Sequence, residues 1–351
     1  MNRRSVDIPR KRLRTRLWTE VTAQILQRTG LHPEKAWYWR NTVFQKLIPE
    51  TEIRNADVVI GFDTASHILA RRAQHAGKPF VLEQSILDPK AKEQALLKMA
   101  SHYPEWAGEA TQRSAPLLRA EREEQKLADR ISVPSEYVGR SLVEFEVPRK
   151  KIFVNPYGTN PLPEAVSRKR DSSGEGCRFL FAGTVTGRKG VPLLLEAWTK
   201  HQSPRCHLTI AGDLAGWPAC AVRPGNVQFP GKLTRSAMAE AFESHDVFVF
   251  PSYAEGMPMV VLEAMAGGLP VIATPVAEGV VRDGLSGIMV PFDDPEALGR
   301  AMADLSAEKE RRVRMGRYAR ERAREFSWQA YGKRYAEMLE KMKSSKKGSS
   351  V

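Results

Sequence analysis

The chain has 351 residues, 42% hydrophobic and 27% charged, a globular composition with room for two domains of ordinary size. No run of 18 apolar residues occurs, which excludes an ordinary spanning helix. Lys and Arg outnumber Asp and Glu by 54 to 41, a net charge of +13.

The first 16 residues hold seven basic side chains (Arg3, Arg4, Arg10, Lys11, Arg12, Arg14, Arg16) against one acid, Asp7. Such a cluster attracts nucleic acid, anionic lipid or phosphorylated ligands. Nucleic acid is the weaker reading, because no recognition motif and no basic stripe interleaved with aromatics accompanies it. Leu13, Leu17, Trp18, Val21 and Ile25 then recur at helical spacing. A basic amphipathic helix within 1–28 either lies on an anionic membrane surface or packs on its own domain with its basic face in water. Arg16, Glu20 and Arg28 interrupt any apolar signal core, so a cytoplasmic location is expected, peripheral at the inner face of the cell membrane if the helix meets lipid.

Apolar runs then alternate with helical stretches: 56–63, 78–84, 129–135 and 151–156 in the first half, and 178–183, 207–212, 226–231, 246–252, 269–274 and 286–291 in the second. Continuous apolar strands separated by helices predict parallel sheets covered on both faces, hence two doubly wound α/β domains. Residues 157–176, rich in Pro, Gly, Ser and charge, read as a linker. The predicted layout is an N-terminal domain over 1–158, a second domain over 159–327, a helix over 328–345 crossing back, and a disordered tail over 346–351. Ligands of open α/β sheets bind beyond the carboxyl ends of the strands, and two such sheets would face a cleft. The cysteines, Cys177, Cys206 and Cys220, include no CxxC pair; reduced thiols in or near the core are expected, without a disulfide framework or zinc site.

In "FAGTVTGRKGVPLLLEAW" (181–198) a strand enters a glycine-rich loop, then Arg188-Lys189-Gly190, then a helix. Loop amides, a helix N-terminus and two cations suit a diphosphate. The spacing is neither a Walker loop nor GxGxxG. In "PSYAEGMPMVVLEAMAGGLPVIAT" (251–274) Glu255 follows a buried strand, and Glu263 stands eight positions on, within a helix that Gly267-Gly268 ends. Pro258 suits the first turn of that helix, Gly256 allows close approach of backbone to a ligand, and the amides near Met259 and Val260 form an anion-binding end. The helix is apolar on nearly every side, so Glu263 is expected to be buried and to need a partner, which sugar hydroxyls would supply. The bland alternative pairs Glu263 with an internal Arg, or has it cap a neighbouring loop, and leaves Glu255 an exposed loop acid. Asp293-Asp294, before Pro295 and Glu296, reads as a helix cap rather than a metal site.

These residues carry a resemblance. The C-terminal half is similar to the donor-binding domain of retaining glycosyltransferases of the GT-B fold, family 4, whose E-x7-E motif reads here as Glu255 to Glu263. The strand "DVFVFPS" before it and "EAMAGGLPVIATP" after it also fit, as do Asp283-Gly284, "GIMVPFDDPEAL" and Phe326-Ser327-Trp328. The resemblance spans roughly 120–345. It implies a metal-independent retaining hexosyltransferase moving a sugar from a nucleoside diphosphate sugar to an acceptor hydroxyl, in cell-surface glycan or glycolipid assembly. Glu263 would bind the ribose hydroxyls and Glu255 the donor sugar. Gly183, Thr184, Gly256, Met257, Pro258, Met259 and Val260 would line the donor, and Lys189 with Arg188 would neutralise the diphosphate. No cofactor, metal or protein nucleophile is implied. The implied partners are the nucleotide-sugar and a glycan or lipid-linked acceptor.

The chain also departs from the family pattern. Thr184 stands where Arg is common, the segment after "ATP" is shortened to "VAEG" (276–279), and the usual histidine after an acceptor-domain strand is missing, so Glu83, Gln84 or Ser85 would face the acceptor instead. His67 reads as a helix residue and Gly158 as the domain crossover. The N-terminal half offers four strands against six; the acceptor domain is abbreviated, or the chain begins downstream of its natural start, which would leave apolar edges exposed. A relic that binds nucleotide without turnover is the rival reading.

Overall fold

The computed structural model describes residues 17–109, 113–159, 176–201, 203–221 and 223–347. The basic cluster over 3–16, Leu13, most of the 157–176 linker and the last residues of the tail lie outside the described residues. The first half runs α1 (Leu17–Arg28), α2 (Pro33–Lys46), α3 (Glu50–Asn55), β1 (Val59–Phe62), α4 (His67–His75), β2 (Phe80–Glu83), α5 (Pro89–His102), α6 (Ala115–Leu127), β3 (Arg130–Val133), α7 (Glu136–Glu144) and β4 (Ile152–Val154). The second runs β5 (Cys177–Ala182), α8 (Val191–His201), β6 (Cys206–Ala211), β7 (Val227–Gly231), α9 (Arg235–Ser244), β8 (Val247–Phe250), α10 (Met259–Ala266), β9 (Val271–Ala273), β10 (Gly287–Met289), α11 (Pro295–Ala307), α12 (Lys309–Arg324) and α13 (Trp328–Lys347).

Each of the ten apolar runs contains a strand, and β1–β2 and β3–β4 pair in parallel. The second half forms a six-stranded sheet in the order β10-β9-β8-β5-β6-β7, again parallel throughout. By contacts the chain divides into two compact units: one runs to Glu83 and takes in Ala115–Arg130, and the other comprises Gln84–Ser114 and everything from Ile131 on.

In the first unit β2 is buried along its whole length. The amides opening α4 are served by side chains from elsewhere. Gln45 Oε1 accepts from Ile68 (2.7 Å) and Leu69 (3.1 Å), and Glu124 accepts from Ser66 (2.7 Å) and Thr64 (2.9 Å). Those bonds hold Thr64 at φ +69°, a conformation that costs a β-branched residue energy. His67 opens α4, buried and stacked on Tyr38; burial lowers its pKa, helped by the Arg71 charge. Coverage on both faces fails at β1, where alternate residues face outward and Phe62 is 63% exposed. The run "VIGF" is too short for sequence to tell a one-faced strand from a fully covered one.

The second unit is built on the six-stranded sheet. Every residue of β8 is buried, and Phe250 stacks between Phe181 (6.4 Å) and Phe248 (6.2 Å). Burying each such ring stabilises the fold by about 1.5–3 kcal/mol. Met99 and Trp106 from the first half of the sequence join this core. Two cysteines are buried as expected, but Cys220 is exposed, a correction, because it lies in the loop after β6 rather than on a strand.

The chain returns on itself through α13. Arg334 donates to Asn155 Oδ1 (2.8 Å) and to the Pro156 carbonyl (2.7 Å), and the Thr159 amide bonds Phe326 O (2.9 Å). A Cβ at Gly158 would lie 2.1 Å from the Trp328 nitrogen, so only glycine fits there. Among the described residues, no helix is long and apolar enough to cross a membrane.

Candidate active site

The carboxyl ends of β5, β6, β7 and β8 open onto one cavity of about 560 Å³, lined by residues of the second unit alone. β5 delivers Gly183 and Thr184, β6 Gly212 and Asp213, β7 Lys232, and β8 the 251–258 loop that enters α10. The loops after β5, β7 and β8 lead into helices, so backbone dipoles and helix N-termini converge there.

The 183–190 loop is shaped by close backbone approach. Gly190 has φ +73°, and a Cβ there would lie 1.9 Å from the Pro251 carbonyl. Arg188 O accepts from the Tyr253 amide at 2.8 Å, which joins this loop to the one bearing Glu255. The two cations therefore sit at fixed positions beside the carboxylate.

Glu255 is 9% exposed. Its Oε1 meets Lys189 Nζ at 2.7 Å, Arg188 at 3.0 Å and the Ser252 hydroxyl at 2.8 Å. Arg188 also donates to the Ala254 carbonyl (2.9 Å), and the Lys189 ammonium lies 5.2 Å from the centre of the Phe250 ring. A carboxylate this shielded is tolerated because cations surround it. Glu255 is thus not an exposed loop acid.

Glu263 reverses the sequence expectation. It is exposed, on the side of α10 that faces the cavity, while Val261, Leu262, Ala264 and Met265 are buried. Partial burial raises its pKa, and the Arg235 charge opposes this more weakly. The physical reason is position: the side of α10 bearing Glu263 looks into the open end of the sheet rather than onto it. Nearly all-round apolarity of the helix concealed that.

Gly256 is packed against the chain itself. A Cβ there would lie 1.7 Å from the Ser85 carbonyl, so glycine is required by the approach of the 84–86 segment. Ser135 Oγ adds a bond to Gly256 O at 2.8 Å. Met257, Pro258, Met259 and Val260 all line the cavity. Of the acceptor-side candidates, Glu83 and Gln84 are buried and Ser85 is exposed. The Gln84 amide nitrogen of its side chain donates to Ile86 O (3.1 Å).

Asp294 caps α11, accepting from Ala297 (2.7 Å), whereas Asp293 has φ +56° and pairs with Lys98 Nζ at 2.9 Å. Among the described residues no group of three His, Cys, Asp or Glu side chains gathers as a metal site. Sequence reasoning missed Ser252, Asp213, Lys232 and Met238. The glycines ending "IAGD" and "FPGK" were the available signal, since both sit at carboxyl ends of strands.

Residues 176–308 match the family model described as Glycosyl transferases group 1. Over 163 residues, 43% of this chain, the sequence is 32% identical to a D-inositol 3-phosphate glycosyltransferase of Xylanimonas cellulosilytica, and it spans 39% of that protein's length. A protein of the same name from Thermobispora bispora is 27% identical over 254 residues, 64% of this chain and 59% of the relative. Among solved structures, sucrose-phosphate synthase from Thermosynechococcus elongatus superposes with TM-score 0.71 at 21% identity, over 90% of this chain and 81% of that one. Anabaena Alr3699/HepE in complex with UDP-glucose superposes with TM-score 0.61 at 15% identity, over 83% and 80%. The fold is GT-B.

Proposed function

We propose, from a chain that is GT-B in fold and a group 1 glycosyl transferase over residues 176–308, that it moves a sugar from a nucleoside diphosphate sugar to an acceptor hydroxyl, with retention of configuration and without a metal. The observation that carries this reading is the placement of Lys189 and Arg188 on Glu255 in the same cavity as the open carboxylate of Glu263.

In this reading Glu263 accepts the two ribose hydroxyls, which suits an exposed carboxylate with free lone pairs. The diphosphate lies between the Gly183–Thr184 turn and the start of α10. Lys189 and Arg188 turn from Glu255 to the phosphates, and Glu255, released, takes the donor sugar. As the glycosidic bond breaks, negative charge grows on the departing diphosphate. The two cations and a helix N-terminus stabilise that charge. The relatives' and neighbours' names, which include UDP-glucose complexes and an inositol phosphate glycosyltransferase, support this donor class.

The acceptor is a glycan or a lipid-linked glycan, reached at an anionic membrane face. Supporting this, Trp18, Val21 and Ile25 share one face of α1 and are each at least half exposed. Sedimentation with anionic vesicles at physiological salt tests it; a chain left wholly in the supernatant sinks the membrane part.

The donor reading is tested by thermal unfolding with UDP, GDP, ADP, dTDP and their sugars in EDTA, for wild type and Glu263→Ala. Ligand at about 100 times its dissociation constant adds roughly 2.7 kcal/mol to the folded state. One nucleotide should stabilise the wild type and not the variant. Stabilisation without sugar transfer would identify a relic, and no stabilisation by any nucleotide overturns the reading.

A further inference from the structure

Another pocket, of about 500 Å³, lies in the same compact unit. Its walls include Tyr103, Glu105 and Trp106 from the first half of the sequence and Leu195, Trp217 and Cys220 from the second, all within one compact unit. Its aromatic side chains are held in place. Trp217 Nε1 donates to Ala221 O at 2.8 Å, and the Trp217 amide donates to Leu214 O at 2.9 Å. The indole meets Trp106 near edge-on (5.2 Å, 72°) and Phe229 likewise (5.2 Å, 85°). The Tyr103 hydroxyl donates to Glu196 Oε2 at 2.6 Å.

The chemistry of this pocket differs from that of the donor cavity. Among the described residues its lining includes no Lys or Arg; the Arg223 guanidinium stands outside the lining, 5.5 Å from the centre of the Trp217 ring and engaged with it and with Phe229. It offers instead fixed aromatic surface and the exposed carboxylate of Glu105. Ordered rings present apolar area at little entropic cost and a carboxylate accepts hydroxyl pairs. A pyranose has both complements, an apolar C–H face and a rim of hydroxyls.

No lining residue is common to the two cavities, but one loop connects them. Gly187 is pressed against the Trp106 carbonyl, with a Cβ position 2.6 Å from it, and Gly216 against Val185 O at 2.4 Å. The Val185 amide donates to Asp213 O at 2.9 Å. The 183–190 loop thus carries donor-cavity residues, Thr184 and Arg188, and also touches the segments that bear Trp106 and Trp217.

We propose that this pocket binds a neutral saccharide unit, outside the donor cavity and against the same loop. Calorimetric titration of the full chain with methyl α-D-glucopyranoside, cellobiose and maltotriose tests this by binding alone. Saturable heat is expected from at least one of the three, weakened about tenfold by Trp217→Ala and several-fold by Glu105→Ala. Glu263→Ala should leave it unchanged. No saturable heat from any of the three up to about 100 mM, or wild-type affinity in both pocket variants, overturns the proposal. If Trp217→Ala does not fold, Glu105→Ala decides, because that side chain is exposed. Saccharide binding that persists where no nucleotide stabilises the chain would fail the donor reading and leave this one standing.

Discussion

The ammonium of Lys189 and the carboxylate of Glu255 lie 2.7 Å apart, with 15% and 11% of their side chains exposed. Neighbouring positions on one loop and a partner from another make a compact charged triad with Arg188. Its two cations outnumber its one anion, so the triad carries a net positive charge that a diphosphate answers.

Lys189→Ala removes one cation and leaves Glu255 with Arg188 and Ser252. Stability should fall by about 1–3 kcal/mol, the cost of a shielded charge losing one partner, as read by denaturant unfolding. Sugar transfer should fall by about 10²–10³, the loss seen when one fixed charge-stabilising donor is removed. An unchanged rate, with the nucleotide still bound, would remove Lys189 from the chemistry.

Glu263→Gln should behave in the opposite sense. The side chain reaches solvent, and partial desolvation by the surrounding chain raises its pKa, so the fold should be unchanged within about 0.5 kcal/mol, or slightly stabler, at neutral pH. Nucleotide affinity should drop about tenfold or more, because two charge-assisted hydrogen bonds to ribose are weakened. Equal affinity would show that the ribose lies elsewhere.

Glu124 gives a pH test of the first unit. Burial pushes its carboxyl up to about 8, against the opposing effect of the Ser66 and Thr64 amides. Between the ordinary 4.5 and about 8, the folded chain therefore holds a proton that the unfolded chain releases. Stability should fall as pH rises through that window and level off above it, by a few kcal/mol in all. Glu124→Gln, which does not ionise, should flatten the slope; denaturant midpoints at pH 5, 6, 7 and 8 measure it.

Gly256→Ala and Gly225→Ala separate close packing from backbone entropy. A Cβ at 256 would sit 1.7 Å from Ser85 O, whereas at 225 nothing lies within 4 Å. The first should cost about 2 kcal/mol or more by forcing the two backbones apart, and the second should be neutral or slightly stabilising. Equal midpoints for both variants would mean the 84–86 segment yields freely.

Much of this architecture was legible because parallel strands are covered on both faces and so read as continuous apolar runs. "VFVF" and "FVLE" needed no periodicity to be seen. The exposed side of β1 was not legible, since four residues hold too few alternations. The site was legible as a set of residue types: one carboxylate and two cations on strand-to-helix loops and a second carboxylate on the helix that follows. Which carboxylate is shielded was not, because Glu263 sits in an apolar helix and Glu255 in a short polar loop, and only the packing of α10 on the sheet reverses their exposures. Lys232 and Asp213 escaped notice because each follows a single glycine, a signal that many turns share. Ser85 against Gly256 could not be foreseen at all: the contact joins positions 171 apart in the chain.

The return of α13 onto residues 155–159 places the chain's departure point and re-entry point side by side. Everything from the first strand of the six-stranded sheet to α12 is therefore an excursion between two adjacent anchor points, onto which Ser85, Met99 and Trp106 also pack. Such a segment can be exchanged between hosts by recombination without rerouting the rest of the polypeptide. The family match, confined to residues 176–308, falls inside that excursion. The prospect this opens is experimental grafting: exchange of the segment between the Asn155 and Arg334 anchor points of two such chains should give a folded product only where the host also supplies side chains equivalent to Met99 and Trp106, as read by denaturant unfolding.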